Sequence, residues 1–125
     1  MYAATERTMT DITYHTPMKK LSDATEYNGV IYTAGQVAED LNAGMQAQTA
    51  DVLRQIDALL ARCGSDKSRI LSATVYVTDM ALKPQMDEAW MAWVDQSRPP
   101  ARATVEARLG ANVLVEIMIT AAKNS

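Results

Sequence analysis

An α+β domain, a mixed sheet with two helices packed on one face, is the fold class this sequence predicts, and three observations carry the prediction. Several stretches alternate apolar and polar residues with the two-residue period of a strand that buries one side. Two others repeat apolar residues at three- and four-residue intervals, the mark of a helix with one buried stripe. Their order along the chain, two strands, helix, strand, helix and two strands, suits helices gathered on one side of a single sheet. At 125 residues the chain is long enough for one such domain over 1–125 and too short for two independent cores.

Residues 1–10 carry no readable motif and are expected to form a flexible N-terminal extension. Ile12-Thr13-Tyr14-His15 is a short extended candidate that ends at Pro17. Residues 19–27 lead into Asn28-Gly29, and Asn-Gly between extended runs is the strongest short-range hairpin signal. The returning strand Val30-Ile31-Tyr32-Thr33-Ala34 stops at Gly35, where a glycine lets the backbone approach a neighbour closely or take positive φ. His15, the only histidine, has no acid or cysteine at motif spacing, so a structural or exposed role is expected.

From Gln46 to Cys63 the residues Ala50, Leu53, Ile56, Leu59, Leu60 and Cys63 form one helical stripe, and Gly64 supplies the stop. Cys63 reads as the last core residue of that stripe and not as a nucleophile. Residues 69–79 alternate as a central strand would, with Leu71, Ala73, Val75 and Val77 on one face and Ile70, Ser72, Thr74, Tyr76 and Thr78 on the other. A second helix begins near Pro84, a residue suited to a first helical turn, and runs through Met86, Ala89, Trp90, Trp93 and Val94.

Pro99-Pro100 then stiffens the entry to a further strand, Ala101-Arg102-Ala103-Thr104-Val105-Glu106-Ala107, and fixes where Arg102 stands. Ala103, Val105 and Ala107 fall on one face, with Arg102, Thr104, Glu106 and Arg108 on the other. After Gly110-Ala111-Asn112 a last strand alternates Val113, Val115, Ile117 and Ile119 with Leu114, Glu116, Met118 and Thr120. The two runs read as a hairpin. Matching their apolar faces puts Arg102, Thr104, Glu106 and Glu116 together on the other, where a cation and carboxylates could meet a small polar ligand. The plainer reading is a solvated strand face.

The face away from the helices would hold Tyr32, Ile70, Tyr76, Leu114 and Met118 among threonines and charges. Such a mixture is too apolar for open water and too polar for a private core, so a second copy is expected to cover it. Net charge is -3, with Lys and Arg scattered, which argues against nucleic acid as a partner. A single cysteine and no metal-ligand spacing point to a reducing compartment and to no metal. No basic segment precedes a continuous apolar one and no run is long enough to span a bilayer, so no membrane is expected and the protein is read as cytoplasmic.

Ala34-Gly35-Gln36, Gly64-Ser65, Ala73-Thr74-Val75-Tyr76-Val77-Thr78-Asp79, Pro100-Ala101-Arg102 and Val115-Glu116-Ile117, in that order, resemble the RidA/YjgF family of reactive-intermediate deaminases. Gln55-Ile56-Asp57-Ala58-Leu59-Leu60, Gly64-Ser65-Asp66-Lys67-Ser68 and Ala89-Trp90-Met91-Ala92-Trp93-Val94 are similar to its YoaB-like branch. The resemblance covers about residues 19–122. It implies a chorismate-mutase-like fold, a homotrimer with clefts between subunits, and cofactor-free hydrolysis of enamines and imines of the 2-aminoacrylate type to 2-keto acids and ammonia. It further implies that Arg102 binds the ligand carboxylate, that Glu116 holds or activates water, and that Gly35 and Thr104 line the site.

Where the best-known deaminases carry tyrosine, serine, asparagine and cysteine around that pocket, this chain has Leu21, Ala34, Asp87 and Thr104. The span from Arg102 to Leu109 is also one residue shorter. Two readings therefore stand beside each other. One is an imine hydrolase, with Arg102 and Glu116 in the leading roles; the other is a non-catalytic module that binds a small carboxylate metabolite, an imine or keto acid, in the same cleft. A nuclease is the least suited to the charge.

Overall fold

Asn28 and Gly29 have φ of 52° and 76°, the left-handed pair a two-residue hairpin turn requires, and they join β2 (Ser22–Tyr27) to β3 (Val30–Thr33). The computed structural model describes residues 11–125, so the expected extension over 1–10 lies outside the described residues. β1 (Thr13–Pro17) pairs antiparallel with β2, and a two-residue strand, β4 (Gln36–Val37), follows β3 and pairs with the last strand. Helix α1 (Met45–Arg62) precedes β5 (Ile70–Val77), and α2 (Lys83–Trp93) precedes β6 (Ala101–Glu106) and β7 (Val115–Ala122). The chain is thus α+β, one seven-stranded sheet in the order β1-β2-β3-β7-β5-β6, with β4 beside β7.

The two last strands do not form the expected hairpin. β5 lies between them, parallel to β6 and antiparallel to β7. The cause is the segment between β5 and β6, which holds α2. A strand, a crossover helix and a second strand make a parallel pair, whereas alternation alone says nothing about which strand is the neighbour.

One sheet face carries Ala73, Val75, Val77, Val115, Ile117 and Ile119, all buried, against Val52, Leu53, Ile56 and Leu60 of α1 and Met86 and Trp90 of α2. A smaller cluster, Ala24, Ile31, Leu59 and Cys63, fills the space under the end of α1. Cys63 caps the helix as a buried thiol, Gly64 follows with φ of 79°, and burial pushes the Cys63 pKa up, as a core thiol requires. Gln48 is fully buried yet satisfied: its Nε2 donates to Ala43 O and Asn112 O, each at 3.1 Å, and its Oε1 accepts from Leu114 N at 3.0 Å. Those bonds tie α1 to the loop that feeds β7.

A bulge between Ile70 and Ser72 resets the alternation of β5. It turns Ile70 into the core and leaves Leu71 about half exposed, the reverse of the expected faces, because one extra residue shifts every side chain before it by one position. Leu114, expected on the outer face, packs against the core as well. The face away from the helices keeps Tyr14, Tyr32, Leu71, Val105 and Met118 substantially exposed.

Candidate functional site

β6 is one of the edge strands, and its residues Arg102, Thr104 and Glu106 pair with Ala73, Val75 and Val77. Paired residues share a face, so Arg102 and Thr104 point to the helical side, while Ala101, Ala103 and Val105 point outward. A guanidinium is tolerated there because α2 is built to receive it. Its Cζ lies 5.1 Å from the centroid of the Trp90 ring, and its Nη1 lies 2.8 Å from Asp87 Oδ1 and 3.9 Å from Met86 Sδ. The contact with Asp87 is off the N–H axis, an ion pair more than a straight hydrogen bond. Met86, Asp87 and Trp90 fall on one side of α2 because helical neighbours recur at three and four positions.

Asp87 is held from a second direction by Lys83, whose Nζ donates to Oδ2 at 2.7 Å. Desolvation would raise the Asp87 pKa, but Lys83 and Arg102 outweigh it through contact and charge, and the carboxyl sits below its ordinary range. Thr104, two residues after Arg102, carries a buried Oγ1 with no hydrogen-bond partner among the described residues. A hydroxyl in that state is poised to pair with an incoming polar group. A cleft of about 280 Å³ touches Arg102 and Ala73 but takes the rest of its lining, Ser72, Thr74, Ala101 and Ala103, from the outward side of β5 and β6. A larger one, about 440 Å³, lies at the other end of β6 around Thr78, Glu106, Ala107, Arg108 and Leu109, with Glu106 already accepting from Met80 N.

Glu116 stands elsewhere. It pairs with Tyr76 and Val37 and alternates with buried Val115 and Ile117, so it lies on the outer face. Its carboxylate rests over Gly35, where a Cβ would come within 2.9 Å of Glu116 Cδ and nearer still to Oε2. Only a residue without a side chain leaves that space, which is the close approach the glycine permits. Ala34 precedes it, donating its N–H to Asp23 O at 2.8 Å. Leu21, about half exposed, lies two residues before Asp23.

The expected constellation is therefore split. Asp87, Arg102 and Thr104 form one group on the helical side of the sheet; Leu21, Ala34, Gly35 and Glu116 belong to the other side or its rim. Arg102 and Glu116 do not share a face, which corrects the parity expected from a β6–β7 hairpin: inserting β5 between them lets the apolar residues of β7 face the helices while those of β6 face outward. Lys83 and Trp90 are the members of the first group that the sequence reading left out. The Lys-to-Asp spacing of four across residues 83 and 87 was the available signal for the ion pair.

Among the described residues no group of three or more His, Cys, Asp or Glu side chains could hold a metal ion. Nor is any helix among them long and apolar enough to cross a membrane.

Comparison with known proteins places these residues in context. Residues 13–123 match the sequence profile of a family described as Endoribonuclease L-PSP. A RutC family protein of Haemophilus ducreyi is 48% identical over 106 residues, which is 84% of this chain and 91% of the relative. The RutC family protein YoaB of Escherichia coli is 44% identical over 102 residues, 81% of this chain and 89% of the relative. Among solved structures, a member of the YjgF protein family from Neisseria meningitidis superposes with a TM-score of 0.89 at 46% identity, covering 94% of this chain and 98% of that one.

Proposed function

Starting from the fact that this chain belongs to the RidA/YjgF family, on its YoaB-like side, we propose that it hydrolyses reactive enamines and imines of the 2-aminoacrylate type to 2-keto acids and ammonia. The reaction runs in clefts between the subunits of a homotrimer, in the cytoplasm, and needs no cofactor. The single observation that supports this reading best is the division of the site. Arg102 and Glu116 stand on opposite faces of one sheet, and the face bearing Glu116 is lined by exposed Tyr32 and Met118. A second copy laid on that face would bury the apolar residues and bring its own Arg102 group to Glu116.

In such a cleft Arg102 takes the carboxylate of the imine through two parallel N–H donors, the geometry a planar guanidinium offers. Thr104 presents its hydroxyl to the same end of the ligand. Glu116 of the partner subunit accepts a proton from water as the water oxygen bonds to the imine carbon, and the nitrogen takes up a proton as its π bond opens. Loss of the nitrogen as ammonia from the resulting carbinolamine, with its hydroxyl proton passed on, leaves the ketone. Positioning does most of the work, because the substrate is already reactive.

A second reading draws on Leu21 and Ala34, which bring no polar group to the side of the site that holds Glu116. With those contacts apolar, the cleft could bind a small carboxylate metabolite without turning it over. RNA cleavage, which the profile's description names, would need a basic track for the phosphates, and the net charge here is -3. One assay separates the readings. An amino-acid dehydratase generates 2-aminoacrylate in place, and 2-keto acid release is followed with and without the protein. Acceleration is expected; ligand binding with no acceleration leaves the sensing module.

A further inference from the structure

We infer that Asp87 is the positioning and selectivity residue of the Arg102 group: it pins one arm of the guanidinium, leaves the opposite edge for a single carboxylate, and disfavours ligands that carry a second negative charge. This inference rests on the reading of Arg102 as the carboxylate anchor. Arg102 turns Nη1 toward α2, where Asp87 Oδ1 lies at 2.8 Å and Met86 Sδ at 3.9 Å. A guanidinium is a rigid fork of five donors, so one arm can be engaged while the far edge still receives a carboxylate side-on. Trp90 stands 5.1 Å from Cζ and limits how the plane can tilt. Asp87 is itself fixed by Lys83 at 2.7 Å, one helical turn earlier. The aim of Arg102 therefore follows from where α2 holds Asp87.

Charge counting gives the selectivity. Lys83 and Arg102 bring two positive charges and Asp87 one negative, which leaves the Arg102 side of the cleft one positive charge, enough for one carboxylate, while the partner's Glu116 adds a negative charge at the imine end. Lys83 is partly exposed and screened, so the balance close to Arg102 is nearer neutral than that count. A ligand with a second carboxylate brings it toward a site that already holds an anion. At about 7 Å and an effective dielectric near 20, such repulsion opposes binding by on the order of tenfold to fiftyfold.

Calorimetric titration of the intact protein with pyruvate and with 2-oxoglutarate tests this. The wild type is expected to prefer pyruvate. Asp87→Asn keeps an oxygen facing Nη1 and removes the charge, so both ligands are relieved of repulsion and 2-oxoglutarate, with its second carboxylate, should gain about tenfold more than pyruvate. Asp87→Ala removes the pin, and pyruvate binding should weaken by about tenfold. Circular dichroism melts show whether each variant folds; if the alanine variant does not, the change of preference in Asp87→Asn decides alone. A residue with only a structural role would weaken both ligands alike and leave their ratio unchanged. An unchanged ratio in a folded Asp87→Asn, with pyruvate still bound, overturns the inference and leaves the anchor standing. A wild type that binds neither keto acid overturns both.

Discussion

The carboxylate of Glu116 rests against the backbone of Gly35, in the space where any other residue would carry its Cβ. Glu116 stands on β7 and Gly35 in the short connection from β3 to β4, so the direction of the carboxylate is set by the missing side chain of its neighbour.

Gly35→Ala is therefore expected to move Glu116 without unfolding the domain. Gly35 has no positive φ to lose, and the group in the way is the free end of a flexible side chain, so thermal unfolding should shift little, by less than about 1 kcal/mol. Turnover should fall by about tenfold to a hundredfold, the usual consequence of a misplacement near 1 Å. Steady-state kinetics on enzymatically generated imine checks it; an unchanged kcat would mean the aim of Glu116 is immaterial.

Arg102 and Glu116 should fail in different ways. Arg102→Ala removes a charge-assisted bidentate anchor, a loss of about 2–5 kcal/mol, or roughly thirtyfold or more in kcat/KM. Arg102→Lys should rescue little, since it keeps the charge but not the fork. Glu116→Gln should retain ligand in calorimetry and lose rate. An Arg102→Ala protein that converts imine at the wild-type rate would show that the guanidinium only ties β6 to α2.

Met118 lies on the outer face with Tyr32 and is about two-fifths exposed. Met118→Glu should be harmless to a lone subunit and should break the assembly, because it buries an unpaired charge wherever that face is covered. Sedimentation should show the wild type as a trimer and the variant as a smaller species, with keto-acid release lost in parallel. A wild type that sediments as a monomer at micromolar concentration contradicts the shared cleft.

Glu26 gives the pH dependence. It is buried between His15, at 3.1 Å, and Lys123, at 3.0 Å. Desolvation raises its pKa, yet bonds and charge from Lys123 and His15 outweigh it and leave the net shift downward from 4.5. A carboxyl lowered by folding stabilises the native state above its unfolded value and loses that contribution as pH falls through the folded one. Denaturant midpoints should hold above about pH 5 and drop below about pH 4. Glu26→Gln should flatten that drop while lowering the plateau.

The helices and the β2–β3 hairpin were legible because their signals are local: a stripe from Ala50 to Cys63, a stop at Gly64, Asn-Gly at a turn. The partner of each late strand was not, since alternation in Arg102–Thr104 and in Val115–Ile117 fits either neighbour equally. The crossover through α2 decides it, and a single bulge at Ile70 overrides parity where parity looked clearest. Arg102 was found as a cation at a fixed strand entry; its attachment to Asp87 was not, because it depends on α2 crossing over the edge strand.

With the guanidinium on one face of the sheet and the carboxylate on the other, the shared-cleft reading has a genetic consequence. A chain carrying Arg102→Ala still offers an intact Glu116, and a chain carrying Glu116→Gln still offers an intact Arg102. Unfolded together and refolded as mixed assemblies, two dead proteins would produce some clefts in which both groups are whole, so activity should reappear from a mixture of inactive parts. Were both groups drawn from one chain, no mixing ratio would restore it.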